Sequence, residues 1–146
     1  MESQDRAIVR GRLKRYKLLG ARIKNLELEK GYLQKDLERY SAPIAYYGVR
    51  VGGKGAEGSQ VEKAAARWEQ IKSRIDSMER EIQSIEIEQQ LLDNALNALD
   101  QDEREAVTAL YIDGLTFTAA CVKLCYSERT MRRRVTQALE SLAVVL

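Results

Sequence analysis

The chain has 146 residues, of which 45% are hydrophobic and 32% are charged, and its formal net charge is +2. This apolar content excludes wholesale disorder, and no run of about 18 apolar residues is present to form a membrane-spanning helix, so we expect no membrane partner. The first residues also lack the apolar stretch of a signal peptide, which favours a cytoplasmic location.

Residues 1–40 are predicted to form a long basic helix with a narrow apolar stripe. Alternating steps of three and four residues connect Tyr16, Leu19, Ile23, Leu26, Lys30, Leu33, Leu37 and Tyr40, with one polar interruption. Residues 1–24 hold eight basic and two acidic side chains. The basic side chains closest to the start are Arg6, Arg10, Arg12, Lys14, Arg15 and Lys17.

Residues 41–60 are predicted to be a glycine-rich linker. This stretch, "SAPIAYYGVRVGGKGAEGSQ", contains the only proline and five of the nine glycines of the chain. Because proline and glycine both disfavour helix interiors, we expect the first helix to end here and the chain to reverse its direction. A phosphate-binding loop is a poor match, since the glycines lack the required spacing and no apolar strand precedes them.

Residues 61–99 carry the apolar repeat of a second long helix. The stripe consists of Val61, Ala64, Trp68, Ile71, Ile75, Met78, Ile82, Ile85, Gln89, Leu92, Leu96 and Leu99, eleven of which are apolar. Residues 61–105 hold twelve acidic and six basic side chains, the opposite balance to the first helix. Because neither stripe is stable in water, we expect either a long antiparallel, coiled-coil-like hairpin within one chain or a homodimer through the long helices.

Residues 100–146 have shorter units and are predicted to form a domain of three helices, which makes the chain all-α. Asp102 and Glu105 have capping-box spacing at the start of the first helix, and Gly114 is expected to end it. The residues expected in the core are Val107, Leu110 and Tyr111 from the first helix, Phe117, Ala120, Cys121 and Leu124 from the second, and Met131, Val135, Ala138, Leu139 and Leu142 from the third.

The second and third of these helices have the spacing of a helix-turn-helix. Thr116 or Thr118 can cap the second helix, and Ser127 caps the third after a short turn. Two positions depart from the usual pattern. Cys125 stands where the turn commonly has glycine, which predicts either a strained backbone or a variant turn. Arg134 stands at a commonly apolar position, so the valine that follows is expected to take its place in the core.

The outward face of the third helix is strongly cationic. It carries Glu128, Arg129, Arg132, Arg133 and Thr136. A solvated face usually mixes charge signs, whereas arginines three and four residues apart repel one another. Phosphates would relieve this repulsion, and arginine near the start of such a helix can read guanine in the major groove. The pattern favours double-stranded DNA as the partner over a protein-facing or solvated surface. The basic side chains of the first helix either brace the DNA backbone or pair with the acidic second helix, and the sequence leaves both open.

Catalytic and metal-binding residues are not expected. The chain has no histidine and two cysteines, Cys121 and Cys125, so a tetrahedral zinc site would lack two ligands. Nucleophile-elbow and phosphate-loop motifs are also missing. We therefore expect a protein that is not an enzyme, holds no cofactor and keeps both cysteines reduced and buried.

The segment "LDQDEREAVTALYIDGLTFTAACVKLCYSERTMRRRVTQALESL", residues 99–142, resembles region 4 of bacterial sigma factors. The likeness lies in an acidic start, an "ER" helix, the "Y-x-x-G-L-T" junction, the "Y-S-x-R-T" turn and the closing "ALESL". Together with the glycine-rich linker and the long heptad helix, the whole chain resembles the phage-encoded ArpU/RinA-like group of late transcriptional regulators.

This resemblance implies a DNA-binding transcriptional regulator of phage or prophage origin, in this group often an activator of late genes, acting in the cytoplasm of the bacterial host. It places DNA contacts on Glu128, Arg129, Arg132 and Arg133, with Ser127 and Thr130 able to reach phosphate. A contact with RNA polymerase stays open. A small-terminase-like DNA-packaging protein and a coiled-coil adaptor that binds other proteins are the alternative interpretations.

Overall fold

The computed structural model describes the backbone of residues 2–47 and 56–146, and the side chains of residues 4–40 and 60–146. Its helices are α1 (Glu2–Tyr47), α2 (Ala56–Asn97), α3 (Gln101–Val107), α4 (Phe117–Leu124) and α5 (Glu128–Val145), with a π-helical turn over Thr108–Ile112 after α3. The described part of the chain contains no strand, so the predicted all-α class is confirmed. None of its helices combines the length and the apolar character that a bilayer span requires.

The long helices extend further than the sequence pattern predicted. Helix α1 continues through Pro43 to Tyr47, and α2 begins at Ala56, so both enter the stretch 41–60 that was expected to be a linker. Residues 48–55, the middle of that stretch, lie outside the described residues. Proline removes one helical hydrogen bond and glycine costs about 1 kcal/mol, so these residues weaken a helix without forbidding one.

The chain forms two compact units, one of Met1–Ala21 with Ile85–Leu146 and one of Arg22–Ser84. The second unit is an antiparallel pair of helical segments. Arg22 forms an ion pair with Glu81 at 3.0 Å, and further along α1 Lys30 lies 3.9 Å from Glu79. Its buried residues are Leu26, Ile71, Ile75, Met78 and Ile82. The apolar stripes of this unit are therefore covered within one chain.

In the first unit, the start of α1 contacts the last turns of α2. Arg12 of α1 binds Glu88 of α2, and the Tyr16 hydroxyl donates a hydrogen bond to Asp93. Across both units, every residue of the two predicted stripes is buried or half-buried. Because the stripes face each other inside the chain, a homodimer through the long helices would have to use other residues of these helices.

One hydrophobic core joins the start of α1, the end of α2 and the three short helices. Its buried members are Val9, Leu13, Leu92, Ala95, Leu96, Leu99, Ala106, Val107, Ala109, Ala120, Cys121, Met131, Val135, Ala138, Leu139 and Leu142. The Arg104 guanidinium also donates to the backbone carbonyls of Leu96, Asn97 and Leu99 at 3.0–3.1 Å, which ties α3 to the end of α2. The C-terminal domain predicted at 100–146 thus shares its core with the start of α1 and the end of α2.

The helix starts in this unit agree with the capping predictions at two positions and disagree at one. Thr116, rather than Thr118, caps α4, because its hydroxyl accepts a hydrogen bond from the Ala119 N–H at 3.2 Å. The capping box at Asp102 was wrong. Helix α3 begins at Gln101, its N-cap residue makes no side-chain cap, and the Asp102 carboxylate is instead used by residues of the turn before α5 and of α5 itself. Asp102 lies within the first turn of α3, one residue after its start, and so is not at the cap position.

Candidate nucleic-acid interface

Helix α5 starts with a side-chain cap, as the sequence predicted. The Ser127 hydroxyl oxygen accepts a hydrogen bond from the Thr130 N–H at 3.2 Å and donates its own hydrogen to the Thr130 hydroxyl at 2.9 Å. Such a cap stabilises a helix by about 1 kcal/mol.

The underside of α5 is apolar and fully packed. Met131, Val135, Ala138, Leu139 and Leu142 are all buried, with exposed fractions between 0% and 8%. These are the five residues that the helical period selected. The second helix is covered less completely, since Ala120 and Cys121 are buried while Phe117 and Leu124 remain half-buried. The packed underside leaves the opposite face of α5 directed to solvent.

The exposed face of α5 brings the predicted contact residues together. Glu128, Arg129, Arg132 and Arg133 are exposed, and Thr130 and Thr136 are half-buried. Arg129 and Arg133 lie one helical turn apart and have no hydrogen-bond or ion-pair partner within the described part of the chain. Arg132 differs from them, because its guanidinium carbon lies 5.6 Å from the centre of the Phe117 ring of α4. Two unpaired guanidinium groups and one that rests on an aromatic ring therefore point away from the core.

The turn between α4 and α5 is tight and strained. Cys125 has φ 58° and ψ 39°, the left-handed conformation that favours glycine. The Cys125 N–H donates to Val122 at 3.3 Å, and the Tyr126 N–H donates to Cys121 at 3.0 Å, so the last carbonyls of α4 are satisfied. Of the two possibilities raised by a cysteine at this position, the strained backbone is the one observed. Its cost is about 1–2 kcal/mol for a residue other than glycine.

A polar cluster holds the start of α5 against α3, and sequence reasoning missed it. The Tyr126 hydroxyl donates to one oxygen of Asp102 at 3.2 Å, and Arg134 forms an ion pair with the other oxygen at 3.0 Å. The Arg134 guanidinium carbon also lies 5.1 Å from the centre of the Tyr126 ring. Desolvation and the hydrogen bond to Asp102 raise the pKa of the Tyr126 phenol.

This cluster explains the unusual arginine in α5. A position that is commonly apolar can carry Arg134 because the side chain covers an aromatic ring and reaches a carboxylate at its far end. Val135 is buried in its place, as the sequence predicted. An arginine at a commonly apolar position, eight residues after Tyr126, is the sequence feature that could have indicated this contact.

The basic residues at the start of α1 do not all have the same role. The Arg12 guanidinium donates two hydrogen bonds to the Glu88 carboxylate, at 2.7 and 2.8 Å. These bonds lower the pKa of Glu88 and raise that of Arg12. Arg12 therefore pairs with the acidic second helix, which was one of the two interpretations of the basic residues of α1. Arg10, Lys14 and Lys17 form no such pair within the described residues.

Comparison with known proteins identifies the C-terminal part of the chain. Residues 89–142 match the family model of Sigma-70, region 4. No curated protein and no solved structure gave a match to this chain. The match runs from the last turns of α2 through most of α5, and so includes the turn at Cys125 and the exposed arginines. This part of the chain is a sigma region 4-like helix-turn-helix.

Proposed function

We propose that this protein is a sequence-specific transcriptional regulator that reads the major groove of DNA with α5. The observation that carries the proposal is the pair of exposed, unpaired arginines, Arg129 and Arg133, on the first turns of a helix whose opposite face is buried. This helix belongs to the segment that matches sigma-70 region 4. The proposal includes no catalytic step and no cofactor.

The chemistry of the exposed face suits base reading. A guanidinium group can donate two parallel hydrogen bonds to O6 and N7 of guanine, and such a contact contributes about 1–3 kcal/mol of discrimination against other bases. A carboxylate at Glu128 can accept a hydrogen bond from N4 of cytosine. Arg129 and Arg133 lie on the same side of α5, so both can enter one groove. Binding also removes the repulsion between these like charges.

The remaining predicted contact residues are suited to the DNA backbone. The hydroxyl group of Thr130 can donate to a phosphate oxygen, while Ser127 caps the helix. Arg132 is exposed and lies beside the Phe117 ring of α4, and its charge can meet a phosphate. Thr136 lies one turn further along and is half-buried. Phosphate contacts of this kind position a protein on the duplex without reading its sequence.

The cellular role that we propose follows the resemblance to late transcriptional regulators of phages. In this role the protein acts in the cytoplasm of the bacterial host and activates late genes. A homodimer would place two copies of α5 on paired half-sites and raise the affinity of a small reading surface. A sigma region 4-like domain is also suited to contact RNA polymerase, which we include in the proposal.

Selection of binding sites from fragments of the genome that encodes the protein tests this function. After the preferred site is known, its affinity and that of a scrambled duplex are measured for wild type, Arg129→Ala and Arg133→Ala. Each variant should lose about 5- to 150-fold of the preference for the site, the equivalent of 1–3 kcal/mol, with unchanged helicity by circular dichroism. Gln137→Ala, an exposed change on the same helix, is the matched control and should keep the preference.

Two results would contradict the proposal. If wild type shows no preference for any DNA fragment at low salt, the protein is not a sequence-specific regulator. If both arginine variants protect the same site as strongly as wild type does, α5 is not the reading helix. A ring-shaped assembly in light scattering would instead favour the DNA-packaging alternative.

A further inference from the structure

The start of α1 carries more positive charge than the helix pair uses. Residues 6–18 contain six basic side chains and no acidic one. Arg12 is bound by Glu88, and Arg6 is half-buried and also engaged by the chain. Arg15 is exposed and donates to the carbonyl of Gly11 one turn earlier, at 3.3 Å. Three basic side chains are left without any such role.

These three residues, Arg10, Lys14 and Lys17, form what we call the α1 stripe. They are exposed and have no hydrogen-bond or ion-pair partner in the described part of the chain. Their spacing of four and three residues places them on one side of the helix. The carboxylates of α2 that contact α1 do so at residues outside the stripe; they are Glu79, Glu81, Glu88 and Asp93.

The α1 stripe belongs to the same compact unit as the reading helix. Val9 and Leu13, its neighbours on α1, are buried in the core that also contains Met131 and Leu139 of α5. A duplex that binds α5 therefore binds a compact unit that also carries the α1 stripe. The stripe has the sign of charge that a polyanion requires.

We propose that the α1 stripe is a second DNA-binding surface, which contacts backbone phosphates whatever the base sequence. This inference rests on the proposed function, because it takes the same ligand, duplex DNA. Seven residues of helix span about 10.5 Å, and a duplex presents about six phosphate charges over that length of its axis. Three flexible cations can therefore each meet a phosphate. The ammonium groups of Lys14 and Lys17 are point charges on flexible side chains, which suits contact with phosphates rather than recognition of a base.

The salt dependence of DNA binding tests the α1 stripe directly. Each phosphate contact contributes about 0.9 to the slope of log affinity against log salt concentration on duplex DNA. The variant Arg10→Gln, Lys14→Gln, Lys17→Gln should lower the magnitude of this slope by about 2 to 3, on the preferred site and on a scrambled duplex alike. The ratio of the two affinities should stay that of wild type, since the reading helix is unchanged.

A matched control removes the same charges from the other compact unit. Lys35, Lys63 and Arg74 are exposed, lie within Arg22–Ser84 and have no partner among the described residues. Their replacement by glutamine changes the net charge by the same three units and should leave the slope close to that of wild type. The charge-retaining variant Arg10→Lys, Lys14→Arg, Lys17→Arg should also keep the slope, and it separates loss of charge from any loss of folding.

The outcomes distinguish the two proposals. If wild type fails to bind DNA at low salt, the proposed function itself fails. If wild type binds its site but the stripe variant has the wild-type slope, or the control variant lowers the slope equally, the α1 stripe does not contact DNA and the role of α5 stands. Loss of slope in the charge-retaining variant would also overturn the inference, because phosphate binding needs only the charge.

Discussion

Replacement of Leu13 by alanine tests whether the start of α1 supports the helix-turn-helix. Leu13 has no exposed surface and lies in the same core as the underside of α5, although more than a hundred residues separate them. Leu18, five residues further along the same helix, is 65% exposed. The pair therefore compares one chemical change at a buried and at an exposed position of a single helix.

The expected cost at Leu13 is about 3 kcal/mol. Three buried carbon groups are lost at about 0.8 kcal/mol each, and the cavity that remains adds to this, within the usual range of about 2–5 kcal/mol for such changes. Leu18→Ala should change the free energy of unfolding by less than about 0.5 kcal/mol, since its side chain is largely in water already.

Hydrogen exchange measured by mass spectrometry reports on the relevant helices. Amides of α5 exchange through opening of the unit that contains them, so Leu13→Ala should accelerate their exchange by about 10²-fold and Leu18→Ala should not. Equal exchange of α5 amides in the two variants would refute the reasoning. That result would mean that α3, α4 and α5 form a stable domain without the start of the chain.

Two further predictions concern the turn and the helix pair. Cys125→Gly should raise the free energy of unfolding by about 0.5–1 kcal/mol, because glycine removes the left-handed strain but adds freedom to the unfolded chain; a lower melting temperature would contradict this. Glu88→Gln should cost about 1 kcal/mol at pH 7 through loss of its paired bonds with Arg12. Because the folded state lowers the pKa of Glu88 below its ordinary 4.5, this contribution is present above that pH and disappears as the pH falls through the folded pKa. Denaturant unfolding of wild type and variant between pH 7 and pH 3 should show the difference closing, and a constant difference would contradict the assignment.

Local features of this protein could be read from the sequence because their causes lie within a few residues. The helical period selected the stripes of the long helices and the buried underside of α5. Ser127 was recognisable as a cap because its bond reaches only to Thr130. The exposed arginines followed from the same period, since the face opposite a buried underside must be in solvent. A cysteine at a position that favours glycine predicted either a strained backbone or a variant turn, and the left-handed Cys125 shows the first. The predicted burial of Cys125 was wrong, since its side chain is exposed.

Two predictions from short-range patterns failed. Asp102 has the spacing of a capping box, but its partners, Tyr126 and Arg134, are more than twenty residues away and lie in the turn before α5 and in α5 itself. Pro43 suggested that α1 ends near residue 40, whereas the helix continues to Tyr47. The capping rule does not include distant partners of a carboxylate. The rule that proline ends a helix does not include helices that tolerate it.

What the sequence alone determined is which faces must be covered and which remain charged, because those follow from side-chain chemistry and the helical repeat. What only the tertiary structure decided is what covers each face and which charges are used up. Glu88 binds Arg12 across 76 residues, leaving the α1 stripe unpaired, and Leu13 enters the core of α5. A periodic pattern states that a surface needs a partner, whereas the choice among distant partners depends on how the helices pack in three dimensions.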